Sequence, residues 1–170
     1  MTLSIYQASA PRFANTLKNL SAVIQKAEQH CEAKKIDPLA LTAFRLFPDM
    51  FPFARQIWIA TDTAKGAVSR LAGVEIPKYD DVEQTFPELR ARIAKTVDYV
   101  LGVPAAKFEG AAERDVAMKL GGKDIVFKGA QYLLGHAYPN FYFHVVTAYN
   151  ILRHNGVEIG KRDYIGQVVL

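Results

Sequence analysis

The sequence predicts an all-α fold, a four-helix bundle with a short β-hairpin between its third and fourth helices. Two patterns carry this reading. Four long segments place apolar residues three and four apart, the spacing that keeps one helical face turned to a core. A Gly-Gly pair also sits between two short strand-like runs, the signature of a hairpin. No internal repeat, low-complexity stretch or linker interrupts these patterns, so residues 1–170 read as one domain.

In the first helix, following Pro11, the line Phe13, Leu17, Leu20, Ile24, Ala27, Cys31 alternates steps of four and three, and it ends around Lys35 before Asp37-Pro38. The second helix runs from about Asp49, as N-cap, to Gly73, as C-terminal stop. Its line is Met50, Phe53, Ile57, Ala60, Ala64, Ala67, Leu71, and the small residues at its centre let a neighbour come close. A third helix, from about Asp81 to Gly102, uses Phe86, Leu89, Ile93, Val97 and Val100; the fourth, from Pro139 to about His154, uses Phe141, Val145, Ala148 and Leu152 before Asn155-Gly156. About 35 residues separate these two helices, too many for a bare loop. Within them, residues 115–120 and 123–128 read as strands about Gly121-Gly122, with a helical turn over residues 131–135.

Composition narrows the function classes. The 170 residues are 50% hydrophobic, 22% charged and 11% aromatic, as in ordinary globular domains. A chain of this size buries roughly 70% of the surface it exposes when unfolded, so no disulfide or metal is needed for stability, and any metal would be functional. Twenty-one Lys and Arg against seventeen Asp and Glu give +4, spread without a basic run, so no nucleic-acid partner is expected. The single Cys31 excludes an internal disulfide, and the N-terminus shows no basic-then-apolar leader; the expectation is a cytoplasmic protein. From Leu133 to Leu152 no acidic or basic residue appears over about the length of a bilayer span. The run contains Gly135, His136, Pro139, Asn140, His144 and Asn150, polar or helix-disrupting groups costly in hydrocarbon, so it reads as a buried bundle helix with no membrane partner.

The strong chemical signatures are missing: there is no GxGxxG before a helix, no GxxxxGK[ST], no HExxH, no GxSxG and no CxxC. Cys31 lies on a core line and reads as a small apolar residue. His30 falls in a charged stretch, His154 suits the carbonyl end of the fourth helix, and His136 precedes Pro139. His144 differs. At 100° per residue it stands about 40° from Ala148 and about 60° from Phe141, so it points into the bundle. Asn140 is one turn earlier on the same face, and Gln56 bears the same relation to Phe53 and Ala60 on the second helix. Gln56, Asn140 and His144 are therefore the candidate site residues. Two readings are open, a buried hydrogen-bonded pair or a ligand or metal site. Arg55, Asp62 and Ser69 at seven-residue spacing, and Asp62 with Lys65, read as solvated or interfacial ion pairs.

Residues 4–9 (SIYQAS), 48–52 (PDMFP) with 54–56 (ARQ), 62–66 (DTAKG), 70–73 (RLAG), 139–144 (PNFYFH) and 151–157 (ILRHNGV) resemble a bacterial domain-of-unknown-function family of the DinB/YfiT-like superfamily. The resemblance covers nearly the whole chain and implies the four-helix bundle, with no known reaction. In other branches of the superfamily, which include thiol S-transferases and related hydrolases, three bundle histidines hold a divalent metal: one on the second helix and an HxxxH pair on the fourth, shortly before Leu-Arg-x-x-Gly. Leu152-Arg153-His154-Asn155-Gly156 matches that ending, and counting back places His144 on the second histidine of the pair, Asn140 on the first and Gln56 near the histidine of the second helix. One ligand of three is retained. Amides bind divalent transition metals much more weakly than imidazoles, so no cofactor is expected.

The resulting expectation is a DinB-like bundle without a complete metal site that binds a small ligand around Gln56, Asn140 and His144 or acts through a homodimer. Outward-facing Phe51, Trp58, Ile59, Tyr142, Phe143, Val146 and Tyr149 would be covered by the hairpin and by the second subunit. One alternative is a Zn- or Ni-dependent transferase or hydrolase acting on a small thiol, with His144 as ligand and His136, a carboxylate or an amide completing the set. Another is metal-free acid/base chemistry by His144.

Overall fold

Four long helices form the bundle in the computed structural model, which describes residues 3–166; Met1, Thr2 and residues 167–170 of the single-domain reading lie outside the described residues. The helices are α1 (Ala10–Lys34), α2 (Phe53–Ala72), α3 (Phe86–Gly102) and α4 (Tyr138–His154). Helix α3 packs on α1 and α2, and α4 lies along α2, so α2 is flanked by two long neighbours. The apolar lines of all four helices are buried in one contiguous core, in which Phe13 meets Phe141 edge-on at 4.8 Å between ring centroids. Cys31 belongs to this core, and burial pushes its thiol pKa up, as a structural cysteine requires.

Two predicted helix starts are corrected. Helix α2 begins at Phe53 rather than at Asp49, and Met50 lies outside it. Pro52 is the reason: proline disfavours helical backbone at the preceding Phe51, and it sits at the N-cap position where it gives up no helical hydrogen bond. The Phe53 amide then donates to the Phe44 carbonyl, closing the loop between them. Helix α3 begins at Phe86 rather than Asp81. Pro87 is tolerated only in a first turn, and Thr85 with Glu88 forms a reciprocal capping box that fixes the start. The backbone amides of Gln84 and Thr85 donate to the Glu88 carboxylate and hold its pKa below the usual range.

Strands β1 (Asp115–Leu120) and β2 (Lys123–Lys128) form the expected antiparallel hairpin, with Leu120 opposite Lys123. Gly121 and Gly122 have φ of 57° and 80°, the left-handed pair that a two-residue turn between twisted strands demands. After the hairpin a helical turn, Gly129–Tyr132, and a π-helical turn, Leu133–Ala137, lead without a break into α4. Among the described residues no helix is long and apolar enough to cross a membrane. The chain then returns along α1, where Lys26 pairs with Asp163 at 2.6 Å and Asn19 donates to the Ile165 carbonyl.

Candidate functional site

Helices α2 and α4 lie side by side, and their polar core residues meet where the seam opens near the start of α2. Gln56 and His144 are buried, with 1% and 7% of their surface exposed. The Oε1 atom of Gln56 stands 2.7 Å from Nδ1 of His144, and its Nε2 donates to the Phe51 carbonyl at 2.8 Å. The residues flanking Pro52 thus serve the site: Phe51, which lies outside the helix, offers its carbonyl to the amide one turn into α2. Burial lowers the pKa of His144, so the imidazole is neutral at pH 7. Above the pair a cavity of about 170 Å³ is lined by Asp49, Met50, Phe51, Gln56, Phe143 and His144. Its aromatic wall is fixed on one side by Arg55, whose guanidinium lies 3.8 Å from the centre of the Phe51 ring.

The other two candidates stand elsewhere, which corrects the single shared site. Asn140 donates to Thr63 Oγ1 at 2.9 Å, one pair further along the seam, and does not line the cavity. A helical face is wide enough to hold two separate polar pairs, and angular position alone does not say which residue of the facing helix each meets. His136 belongs to the hairpin side of the bundle, its ring stacked near Phe127 and Tyr132 at 6.2 and 5.8 Å. The π-helical turn rotates it out of register with α4.

These donors do not fit the three-imidazole set that the superfamily resemblance implies for a divalent metal. Gln56 has both amide atoms engaged, the Asn140 amide nitrogen serves Thr63, and His144 contributes a single ring nitrogen beyond the one facing Gln56. Among the described residues no three His, Cys, Asp or Glu side chains come together as a group able to hold a metal ion.

A second polar cluster was not singled out by the sequence reading. Arg92 of α3 has only 1% of its side chain exposed, yet each of its five N–H groups has an acceptor. Nε donates to Thr61 Oγ1, Nη1 to the Asp80 carbonyl and Glu83, and Nη2 to Asp62 and Asp81, all within 2.8–3.0 Å. Lys65 pairs with Asp62 at 2.9 Å, so the expected pair forms, with its lysine buried rather than solvated. Arg55 instead stacks on Phe51, and Ser69 bonds Tyr99, so the seven-residue line is no ion-pair ladder. The signals for the cluster were an arginine three residues after Leu89 on a core face and the acidic run at residues 80–83. With every donor engaged, Arg92 is a staple rather than a binding group, and the segment it ties down covers Trp58, whose indole donates to the Glu83 carbonyl. The hairpin does not perform that covering.

Fold and site define a class: a four-helix bundle with a hairpin before its last helix and a histidine–amide pair at the seam of the second and fourth. The family model described as "Domain of unknown function (DUF1993)" matches residues 5–165, and the chain belongs to this DinB-like family. It is similar to the crystal structure of a DinB family member protein from Shewanella denitrificans, with 44% identity and a TM-score of 0.89 over 98% of this chain and 94% of that one. No curated protein matches the chain.

Proposed function

We propose that the protein is a small-molecule-binding bundle without a complete metal site, whose ligand enters the cavity over Gln56 and His144. The observation that carries this reading is the cavity itself. At about 170 Å³ it is the size that accepts one six-membered ring, and it pairs apolar walls with one buried imidazole edge. Two of the three ligand positions that the superfamily resemblance implies carry amides here, Gln56 tied to the Phe51 carbonyl and Asn140 to Thr63, which supports a ligand site over a metal centre. The test combines elemental analysis with 1H–13C spectra of the purified protein exposed to single-ring compounds. Shifts confined to Phe51, Phe143 and His144 in a metal-free protein are expected. Stoichiometric Zn or Ni that is lost in His144→Ala would replace this reading with the metal-dependent transferase or hydrolase.

A homodimer is proposed as the assembly. Its support is exposed apolar surface: Phe143 and Phe51, which line the cavity, expose 57% and 40% of their surface, and Val146, one turn from Phe143 on α4, exposes 39%.

A further inference from the structure

The hydrogen bonds around Gln56 determine which proton His144 carries, and through it the kind of ligand the cavity accepts. Gln56 Nε2 lies 2.8 Å from the Phe51 carbonyl, an acceptor with no proton to give, so this end of the amide must be the NH2 group. The opposite flip would press two carbonyl oxygens together. Gln56 therefore presents its own oxygen to His144, and a bond of 2.7 Å between Oε1 and Nδ1 requires a proton on Nδ1. Burial keeps the ring neutral, so Nε2 is left as a bare lone pair. Among the described residues Nε2 has no hydrogen-bond partner, and it stays in contact with solvent. It belongs to a side chain more than nine-tenths buried that lines the cavity.

Resting on the binding reading above, we infer that the cavity selects an uncharged single-ring ligand carrying an O–H donor, of the phenol class, whose hydroxyl donates to Nε2 of His144 while its ring lies between Phe51 and Phe143. An ether of the same shape would cover that lone pair and leave it unmatched. A carboxylate brings no donor, and Asp49 on the lining adds like charge.

The full-length protein is titrated with phenol, anisole and benzoate while His144 and Phe143 resonances are followed, and the protonated nitrogen of His144 is read from long-range 1H–15N spectra. Phenol is expected to bind at least roughly tenfold more tightly than anisole or benzoate, the loss that one unmatched buried acceptor produces. His144→Phe is expected to remove that preference, and the wild-type spectrum, which needs no variant, is expected to show Nδ1 protonated and Nε2 bare. Equal binding of anisole, or a proton on Nε2, overturns donor selection while leaving a binding cavity. Absence of any shift with all three probes overturns the binding reading and this inference together.

Discussion

His144 is a base held in its uncharged form, and that has a thermodynamic consequence. Its folded pKa lies below the ordinary 6.5, so between the folded value and 6.5 the unfolded chain binds more protons than the native one. The contribution of the neutral ring is complete above pH 6.5 and is lost as pH falls from there toward the folded pKa. Urea denaturation of the wild type and His144→Phe at pH 7.5 and 5.5 should therefore show a loss of stability on acidification that is larger in the wild type; equal losses would contradict the assignment. Gln56 has its own prediction. Gln56→Leu removes the acceptor for Nδ1 and the donor to Phe51 together; the buried Nδ1 left unmatched costs about 1–3 kcal/mol, the carbonyl of the solvent-exposed Phe51 costs less, and the ring is freed to exchange tautomers. At this scale the sequence was informative about direction and silent about partners. Helical angles were enough to turn Gln56 and His144 inward, but Asn140 has the same angular claim and meets Thr63 instead, because partner choice depends on the offset between two helices, which no single-helix pattern contains.

Among elements, the long bundle helices were legible because each repeats an apolar line over several turns. The starts of α2 and α3 were not, because the acidic residues taken as boundary signals have other uses. Asp81 and Glu83 bind Arg92, whereas the Thr85–Glu88 box and Pro87 set the first turn of α3. Arg92 joins three pieces of chain: Thr61 and Asp62 of α2, α3 itself, and residues 80–83. Replacing it with Met leaves three carboxylates without their shared cation. Because Asp62 and Asp81 are partly exposed and can rehydrate, the cost is expected at the lower end of that for a broken buried pair, about 3 kcal/mol. Arg92→Lys should recover only part of it, since one ammonium cannot reach five acceptors. Both are measured by urea unfolding. A loss under about 0.5 kcal/mol for Arg92→Met, typical of an ordinary surface change, would mean that the cluster does not anchor the α2–α3 connection.

At the scale of the molecule, the bundle separates what holds it together from what it offers to solvent, and this division allows the assembly to be tested without disturbing the fold. The core lines of all four helices are sealed, while Phe143, which lines the cavity, and Val146, one turn further along α4, remain open to solvent. Aromatic content alone could not assign these residues, since the sequence does not say that residues 80–83 cover Trp58 whereas nothing among the described residues covers Phe143 to the same degree. Introducing charge at exposed positions costs little folding energy, generally within about 0.5 kcal/mol, but placing two like charges opposite their own copies in a two-fold interface is strongly unfavourable. The double variant Phe143→Glu/Val146→Glu should therefore keep the wild-type unfolding midpoint when both proteins are diluted below the dissociation constant of the proposed dimer, and at high concentration the wild type is expected to elute as a dimer and the double variant as a monomer, with light scattering giving the mass. A wild type that stays monomeric over the accessible concentration range, or a double variant that stays dimeric, would place the assembly surface elsewhere or remove it, and would leave the cavity open to bulk solvent as a site used by one chain alone.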